Sequence, residues 1–173
     1  MKGQTILFIS DMRQVYLAEI LTKKGICVRC LDVRNRERAG TQLEKLETYL
    51  AEANRLILPV PVTKIPDQKR LEEILRKDVP EDVLIFGGCF SETQKKILQA
   101  GRNFFYDFMD DEQVKEENAA ATAEGVIAEL VSNSPYNIEG AKILVSGYGK
   151  CGRAAACRLK SLGARVTVLA RRK

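Results

Sequence analysis

The sequence contains no histidine, which removes the Ser–His and Cys–His pairs of the commonest hydrolytic nucleophiles. It also removes a principal zinc ligand. Five cysteines are present, too few signals for a disulfide framework in a chain with no secretory features. Cys27-x-x-Cys30 has a metal-like spacing but no second pair, and on a strand residues three apart point to opposite faces. These cysteines are expected to be small buried side chains, with no metal site. No apolar run approaches the roughly 18 residues of a membrane span. The opening MKGQTILFIS lacks the long apolar region and cleavage site of a signal peptide, so cytoplasmic residence without membrane association is the expectation.

Acidic residues are missing from one segment only. Residues 142–173 hold nine Lys or Arg and no Asp or Glu, leaving nineteen basic and all twenty-three acidic residues to the first 141. The net charge of +5 is therefore local, and with no aromatic-basic interleaving or zinc-finger spacing it does not imply a nucleic-acid partner.

What is present is a regular alternation. Strands are expected at Thr5–Ile9, Cys27–Leu31, Arg55–Val60, Asp82–Phe86 and, rich in aromatics, Asn103–Met109. Helices are expected at Arg13–Lys24, Leu43–Ala53, Gln68–Lys77 and Ser91–Ala100, with Arg34–Gly40 a charged, solvated loop. This is an α/β pattern: a flavodoxin-like open, mostly parallel five-stranded sheet with helices on both faces, followed by a partial Rossmann βαβ unit. The division is 1–112 for the first domain, 113–136 for a linking helix and loop, and 137–173 for the beginning of a second. Within the link, Val114–Val131 reads as one long helix, in which Gly125 implies close packing against a neighbour.

The second unit carries the sharpest motif. Lys142–Ser146 is a short buried-type strand, and Gly147-Tyr148-Gly149-Lys150-Cys151-Gly152 supplies G-x-G-x-x-G where strand gives way to helix. Gly147 permits the tight turn, Gly149 the close approach of a pyrophosphate, and Gly152 the packing of helix on strand. The helix N-terminus offers N–H groups to phosphate. Ala154–Cys157 keep the helix slim, with Leu159 and Leu162 facing the sheet. Gly163 closes it, and Arg165–Ala170 forms the next strand. A site for NAD ends that strand in Asp or Glu; here Ala170, Arg171 and Arg172 follow. Arginines suit a 2′-phosphate, which points to NADP.

Ligands of such sheets meet the carboxyl ends of the strands. Those positions hold Ser10, Asp11, Arg13 and Gln14 after the first strand and Pro59, Val60, Pro61 and Thr63 after the third. Gly87, Gly88, Cys89 and Ser91 follow the fourth. This is a polar rim with a cation and close-approach glycines, suited to a small carboxylated ligand. Asp11 and Ser91 equally suit helix caps, and Pro59 and Pro61 equally suit a strand stop. On the long helix, Asn118, Thr122 and Glu124 either reach a cleft or face water.

In order along the chain, Asp11-x-Arg-Gln, Leu56-Ile-Leu-Pro-Val-x-x-Thr63, Val83-Leu-Ile-Phe-x-Gly88, Asn118-x-x-x-Thr-x-Glu-Gly125 and Ile138-x-Gly-x-x-x-x-Val-x-Gly-x-Gly-x-x-Gly152 resemble the A-subunit family of dipicolinate synthases. The resemblance spans nearly the whole sequence. It implies an NADP-dependent oxidoreductase forming pyridine-2,6-dicarboxylate from a dihydro- or tetrahydrodipicolinate-type precursor, in the mother cell of a sporulating bacterium. It further implies two kinds of partner: a flavoprotein-like B subunit, and further copies of the chain in a homo-oligomer. Under it, Arg13 holds a substrate carboxylate, while Thr63, Asn118 and Glu124 orient the ring or assist proton transfer. Ser10, Asp11, Gln14, Pro59, Gly88, Cys89 and Thr122 line the cleft. Two departures stand out: Ser10 replaces the family's usual glycine, and the far half of the nucleotide domain is not in this sequence. The competing expectation is a non-catalytic small-molecule-binding or scaffolding module with a vestigial nucleotide site.

Overall fold

The computed structural model describes residues 3–171 and divides into two compact units, Met1–Asp110 and Asp111–Lys173. In the first, five strands alternate with four helices: β1 (Gln4–Ile9), α1 (Met12–Lys23), β2 (Val28–Asp32), α2 (Ala39–Leu50), β3 (Ala53–Ile57), α3 (Gln68–Lys77), β4 (Leu84–Gly87), α4 (Glu92–Ala100) and β5 (Phe105–Asp107). Every strand pair is parallel, in the order β2-β1-β3-β4-β5. This is the flavodoxin-like order, and its direction reverses between β1 and β3.

The sheet forms because its inner strands are apolar on both faces, as a covered parallel sheet requires. Ile6, Leu7 and Phe8 of β1 are fully buried. The core joins Ile6, Phe8, Leu31, Leu56 and Ile85 of the sheet to Leu43 and Leu46 of α2 and Leu71 and Ile74 of α3. Helix α1 packs on β1 and β2 and is amphipathic only weakly, leaving Met12, Tyr16 and Ile20 more than half exposed.

Several boundaries differ from the sequence expectation. The expected loop 34–40 contains a 3-10 turn at Arg36–Arg38 that runs directly into α2, opened by the Asn35 side chain accepting from the Glu37 N–H at 3.0 Å. Helix α2 ends at Leu50 rather than Ala53, because Ala53 already pairs with Gln4 in the sheet. The fifth strand spans three residues rather than seven, since the Asp107 side chain turns the chain back at once: it accepts from the Met109 N–H at 2.9 Å. The cysteines are a further correction, as Cys27, Cys30, Cys89, Cys151 and Cys157 are all free and exposed. Cys27 precedes and Cys30 lies in β2, an edge strand, which has a neighbour on one side only.

In the second unit, α5 (Glu112–Asn133) precedes β6 (Lys142–Ser146), α6 (Lys150–Ser161) and β7 (Arg165–Leu169), with β6 and β7 parallel and in register. Asp111 caps α5 by accepting from the Gln113 and Val114 N–H groups. Helices α5 and α6 pack together, and what they bury is chiefly small: Ala119 and Ala123 on one, Ala155, Ala156 and Leu159 on the other. Leu162 is the C-cap residue of α6 and is 45% exposed, whereas Leu159 is buried. Among the described residues, no helix is long and apolar enough to cross a membrane.

Gly125 is not a packing residue either. A Cβ built there meets nothing within 4 Å, so the position carries glycine's helix penalty without a steric need for it. Gly125→Ala is expected to stabilise the chain by about 0.5–1 kcal/mol, read as a higher midpoint in urea unfolding; a lower midpoint would refute the open position.

Candidate functional site

The carboxyl ends of β1, β3, β4 and β5 are tied together by one run of hydrogen bonds. It begins at Asp107, whose side chain is only 2% exposed. Its Oδ1 accepts from the Cys89 N–H at 3.0 Å and the Met109 N–H, and its Oδ2 accepts from the Phe90 N–H at 3.0 Å. Lys95 Nζ stands 3.7 Å from Oδ2. A buried carboxylate is tolerated here because main-chain donors and a cation replace its water. Cys89 takes a left-handed backbone, φ +58°, unusual for a side-chain-bearing residue.

The loop so held passes the constraint to β3. Gly88 donates its N–H to the Pro59 carbonyl at 3.3 Å and accepts from the Val62 N–H at 2.9 Å. A Cβ on Gly88 would lie 2.7 Å from Val60, so this close approach needs glycine. Gln94, buried, donates to Gln68 at 2.8 Å. Gln68 in turn donates to the Val62 and Ile65 carbonyls, fixing the 3-10 turn Val62–Lys64 that carries Thr63 and Lys64. Thr63 is exposed.

Val60 connects this edge to β1. Its carbonyl accepts from Arg13 Nη2 at 3.1 Å, and the same guanidinium grips Asp11 through Nε (3.1 Å) and Nη2 (2.8 Å). Lys64 also donates to Asp11 Oδ2. The Arg13 guanidinium first, then the Lys64 ammonium, hold the Asp11 carboxyl well below the usual carboxylate range. Asp11 caps α1 as well, accepting from the Arg13 N–H at 2.9 Å. Gln14, buried, completes the capping box: its Oε1 accepts from the Asp11 N–H, the Ser10 N–H and the Ser10 hydroxyl. Ser10 and Gln14 are thus committed to shaping the turn, whereas Arg13, Thr63 and Lys64 are exposed. Asp11, Arg13, Lys64 and Val60 meet between β1 and β3, where the strand order reverses and ligands of such sheets bind.

The second unit holds the glycine turn. Gly147, at φ +96°, donates to the Leu169 carbonyl at 2.7 Å, joining the ends of β6 and β7. A Cβ on Gly152 would lie 2.3 Å from the Gly147 carbonyl oxygen, while one on Gly149 would meet nothing within 4 Å. The first contact shuts the turn onto the helix and the second leaves its mouth open. Gly149 is the N-cap of α6, with no side-chain cap, unlike α1, α3, α4 and α5, which Asp11, Asp67, Ser91 and Asp111 cap. Tyr148 and Cys151 are exposed. Lys150 is not a free cation: its Nζ lies 2.8 Å from Glu112 and 2.6 Å from Glu116, and Arg153 joins Glu116 at 3.0 Å. Arg171 is exposed just beyond β7; Arg172 lies outside the described residues.

Along α5, Thr122 donates its hydroxyl to the Asn118 carbonyl at 2.7 Å. Glu124, 71% exposed, stands 3.8 Å from Arg158 of α6, and Asn118 is half-buried. Sequence reasoning missed Lys64, Gln68, Gln94 and Asp107. Only Asp107 left a signal, as a lone carboxylate inside the run Phe104-Phe-Tyr-Asp-Phe108.

A parallel sheet with a switch point and a strand–glycine turn–helix–strand unit, both present in this chain, also occur together in solved structures of known proteins. A solved phosphoglycerate oxidoreductase from Vibrio cholerae shares the fold, at 15% identity over 98% of this chain and 56% of that one, TM-score 0.56. The family model for the N-terminal domain of the dipicolinate synthase A-subunit matches residues 10–109, more than half of the chain, and the chain belongs to that family. The solved dipicolinate synthase A-subunit from Bacillus halodurans is 15% identical, with 97% of this chain and 61% of that one covered, TM-score 0.64. Its counterpart from Bacillus subtilis is 18% identical, with 100% and 62% covered, TM-score 0.62. These identities establish a common fold. The adenosylhomocysteinase of Thermoplasma volcanium is 29% identical over 136 residues, 72% of this chain and 33% of that one. The chain therefore spans about three fifths of the two solved dipicolinate synthase chains and a third of the curated relative.

The contacts of Asp107 and Glu112 can each be tested. Asp107→Ala leaves the buried Phe90 N–H and the part-buried Cys89 and Met109 N–H groups without their acceptor and is expected to cost about 2 kcal/mol in urea unfolding, with Asp107→Asn less damaging; a loss near zero would contradict the network. Lys115, and after it Lys150, hold the Glu112 carboxyl down to about 2 from an ordinary value of 4.5. Its native value being depressed, its contribution to stability is complete above about 4.5 and vanishes as pH falls through 2. Stability measured by circular dichroism should therefore fall less steeply from pH 4.5 to 2 in Glu112→Gln than in the wild type.

Proposed function

We propose that the chain serves an NADP-dependent oxidoreductase of the dipicolinate synthase type, forming pyridine-2,6-dicarboxylate from a dihydro- or tetrahydrodipicolinate-type precursor. The observation that carries this reading is the glycine turn: closed against its helix at Gly152, open at Gly149 and uncapped. A pyrophosphate fits such a turn because it satisfies the first N–H groups of the helix and lies at the positive end of its dipole. With Lys150 occupied by Glu112 and Glu116, these main-chain donors at Gly149, Lys150, Cys151 and Gly152 would hold the phosphates. Tyr148 would flank them. Arg171 and Arg172 would receive the 2′-phosphate, favouring NADP over NAD. When bound, the nicotinamide would accept hydride from the substrate ring.

The remaining roles fall to the chain's own residues. Arg13 would hold a ring carboxylate through its outward edge, and Thr63 would donate a hydrogen bond beside it. Asn118 and Glu124 would orient the ring, and Glu124 would assist removal of the proton that aromatisation releases. Asp11, Ser10 and Gln14 would keep Arg13 in place, with Pro59, Gly88, Cys89 and Thr122 shaping the cleft. By the same family argument the chain would work in the cytoplasm of a sporulating mother cell, as a homo-oligomer with a flavoprotein-like B subunit.

Cys151 provides a direct readout, because it is exposed within the turn. NADPH is expected to slow its alkylation, followed by peptide mass mapping, more than NADH does. Gly152→Ala should abolish that protection, and Arg171→Ala should weaken NADPH far more than NADH. Absence of protection by either nucleotide would favour the non-catalytic binding module; equal loss of both in Arg171→Ala would remove the NADP preference.

A further inference from the structure

We infer that Lys64 is a second carboxylate anchor, and that Arg13 and Lys64 form a two-cation seat that distinguishes a diacid from a monoacid. This rests on the dicarboxylate reading above and adds to it a residue that fixes ligand class.

Position is the first ground. Asp11 follows β1 and Lys64 ends the turn after β3, so the pair spans the point where the strand order reverses, the crevice such sheets use for ligands. Charge is the second. Two cations converge on one anion: Arg13 Nη2, at 2.8 Å, and Lys64 Nζ both bind Asp11 Oδ2. The cluster keeps a surplus positive charge, and its cations stand within two hydrogen-bond lengths of each other.

Donor capacity is the third ground. An ammonium has three donors and a guanidinium five. Lys64 gives one to Asp11; Arg13 uses Nε and Nη2 on Asp11 and Val60. Donors therefore remain, on side chains 57% exposed for Arg13 and 34% for Lys64.

Preorganisation is the fourth. The Val60 carbonyl steadies Arg13, and Gln68 pins the backbone on either side of Lys64 by donating to Val62 and Ile65. Asp11 thus acts as a fixed internal counter-ion that keeps two long, flexible cations aimed together. A ligand with one carboxylate needs only Arg13; a second carboxylate on the same small ring finds Lys64. Thr63, the exposed residue before Lys64, adds a neutral donor to the same turn.

The test titrates pyridine-2,6-dicarboxylate and pyridine-2-carboxylate into the 173-residue chain by calorimetry. Lys64→Gln is expected to weaken the diacid about tenfold and the monoacid far less, collapsing the preference. Lys64→Arg, which keeps the charge, should restore most of it. Lys45→Gln on α2 changes net charge identically and should leave both affinities unchanged. A diacid-to-monoacid ratio in Lys64→Gln equal to that of the wild type, or the same loss in Lys45→Gln, would overturn the role of Lys64 while leaving the dicarboxylate reading intact. A wild-type chain that binds monoacid and diacid equally would also overturn it. Failure of the wild-type chain to bind the diacid at all would overturn both.

Discussion

A single buried carboxylate organises the carboxyl-end edge of the sheet in the first unit. Asp107 takes the N–H groups of Cys89, Phe90 and Met109. Without such an acceptor the buried Phe90 donor would be stranded, and the part-buried donors of Cys89 and Met109 would lose the partner that fixes the loop. Through Gly88 the constraint reaches Pro59 and Val62, through Val60 it reaches Arg13, and through Arg13 it reaches Asp11. Four strand ends are thereby held in one geometry by groups that never need to touch a ligand. The cations at the far end of this chain can be aimed because the backbone beneath them does not move freely.

The glycine turn of the second unit treats main-chain donors in the opposite way. Where Asp107 fills a set of N–H groups from within, the first turn of α6 has no side-chain cap. Glycine serves two different ends there: Gly152 removes a Cβ that would collide with the Gly147 carbonyl, while Gly149 leaves its surroundings clear. The ion pairs of Lys150 and Arg153 with Glu112 and Glu116 draw the basic side chains onto α5 and leave the mouth of the turn to its main chain.

Much of the fold is legible in the sequence because burial on both faces and helix-to-strand alternation leave a strong mark. The β1 run Thr-Ile-Leu-Phe-Ile, the glycine spacing and the caps at Asp11 and Ser91 all read correctly from local sequence. The departures share a cause. Composition predicts buried cysteines in β2, but edge position is a property of strand order. Helical period carries α6 through Leu162, but the helix ends just before it. A glycine inside a helix suggests close packing, yet the neighbourhood of Gly125 is open. Position at the strand ends places Arg13 and Thr63 at the rim, but does not single out Lys64, Gln68 or Asp107, which matter through partners elsewhere in the sequence.

By itself, then, the amino-acid order determined which segments become strands, where the side-chain-capped helices begin and that a glycine turn follows the sixth strand. Each of these is settled by neighbours within a few residues, through periodicity, capping and allowed backbone angles. Tertiary structure alone decided that β1 and β3 lie side by side. That adjacency brings Asp11 onto Lys64, 53 positions away, and Arg13 onto Val60, 47 away. An ion pair needs its charges within a few ångströms, and only the folded sheet sets that distance.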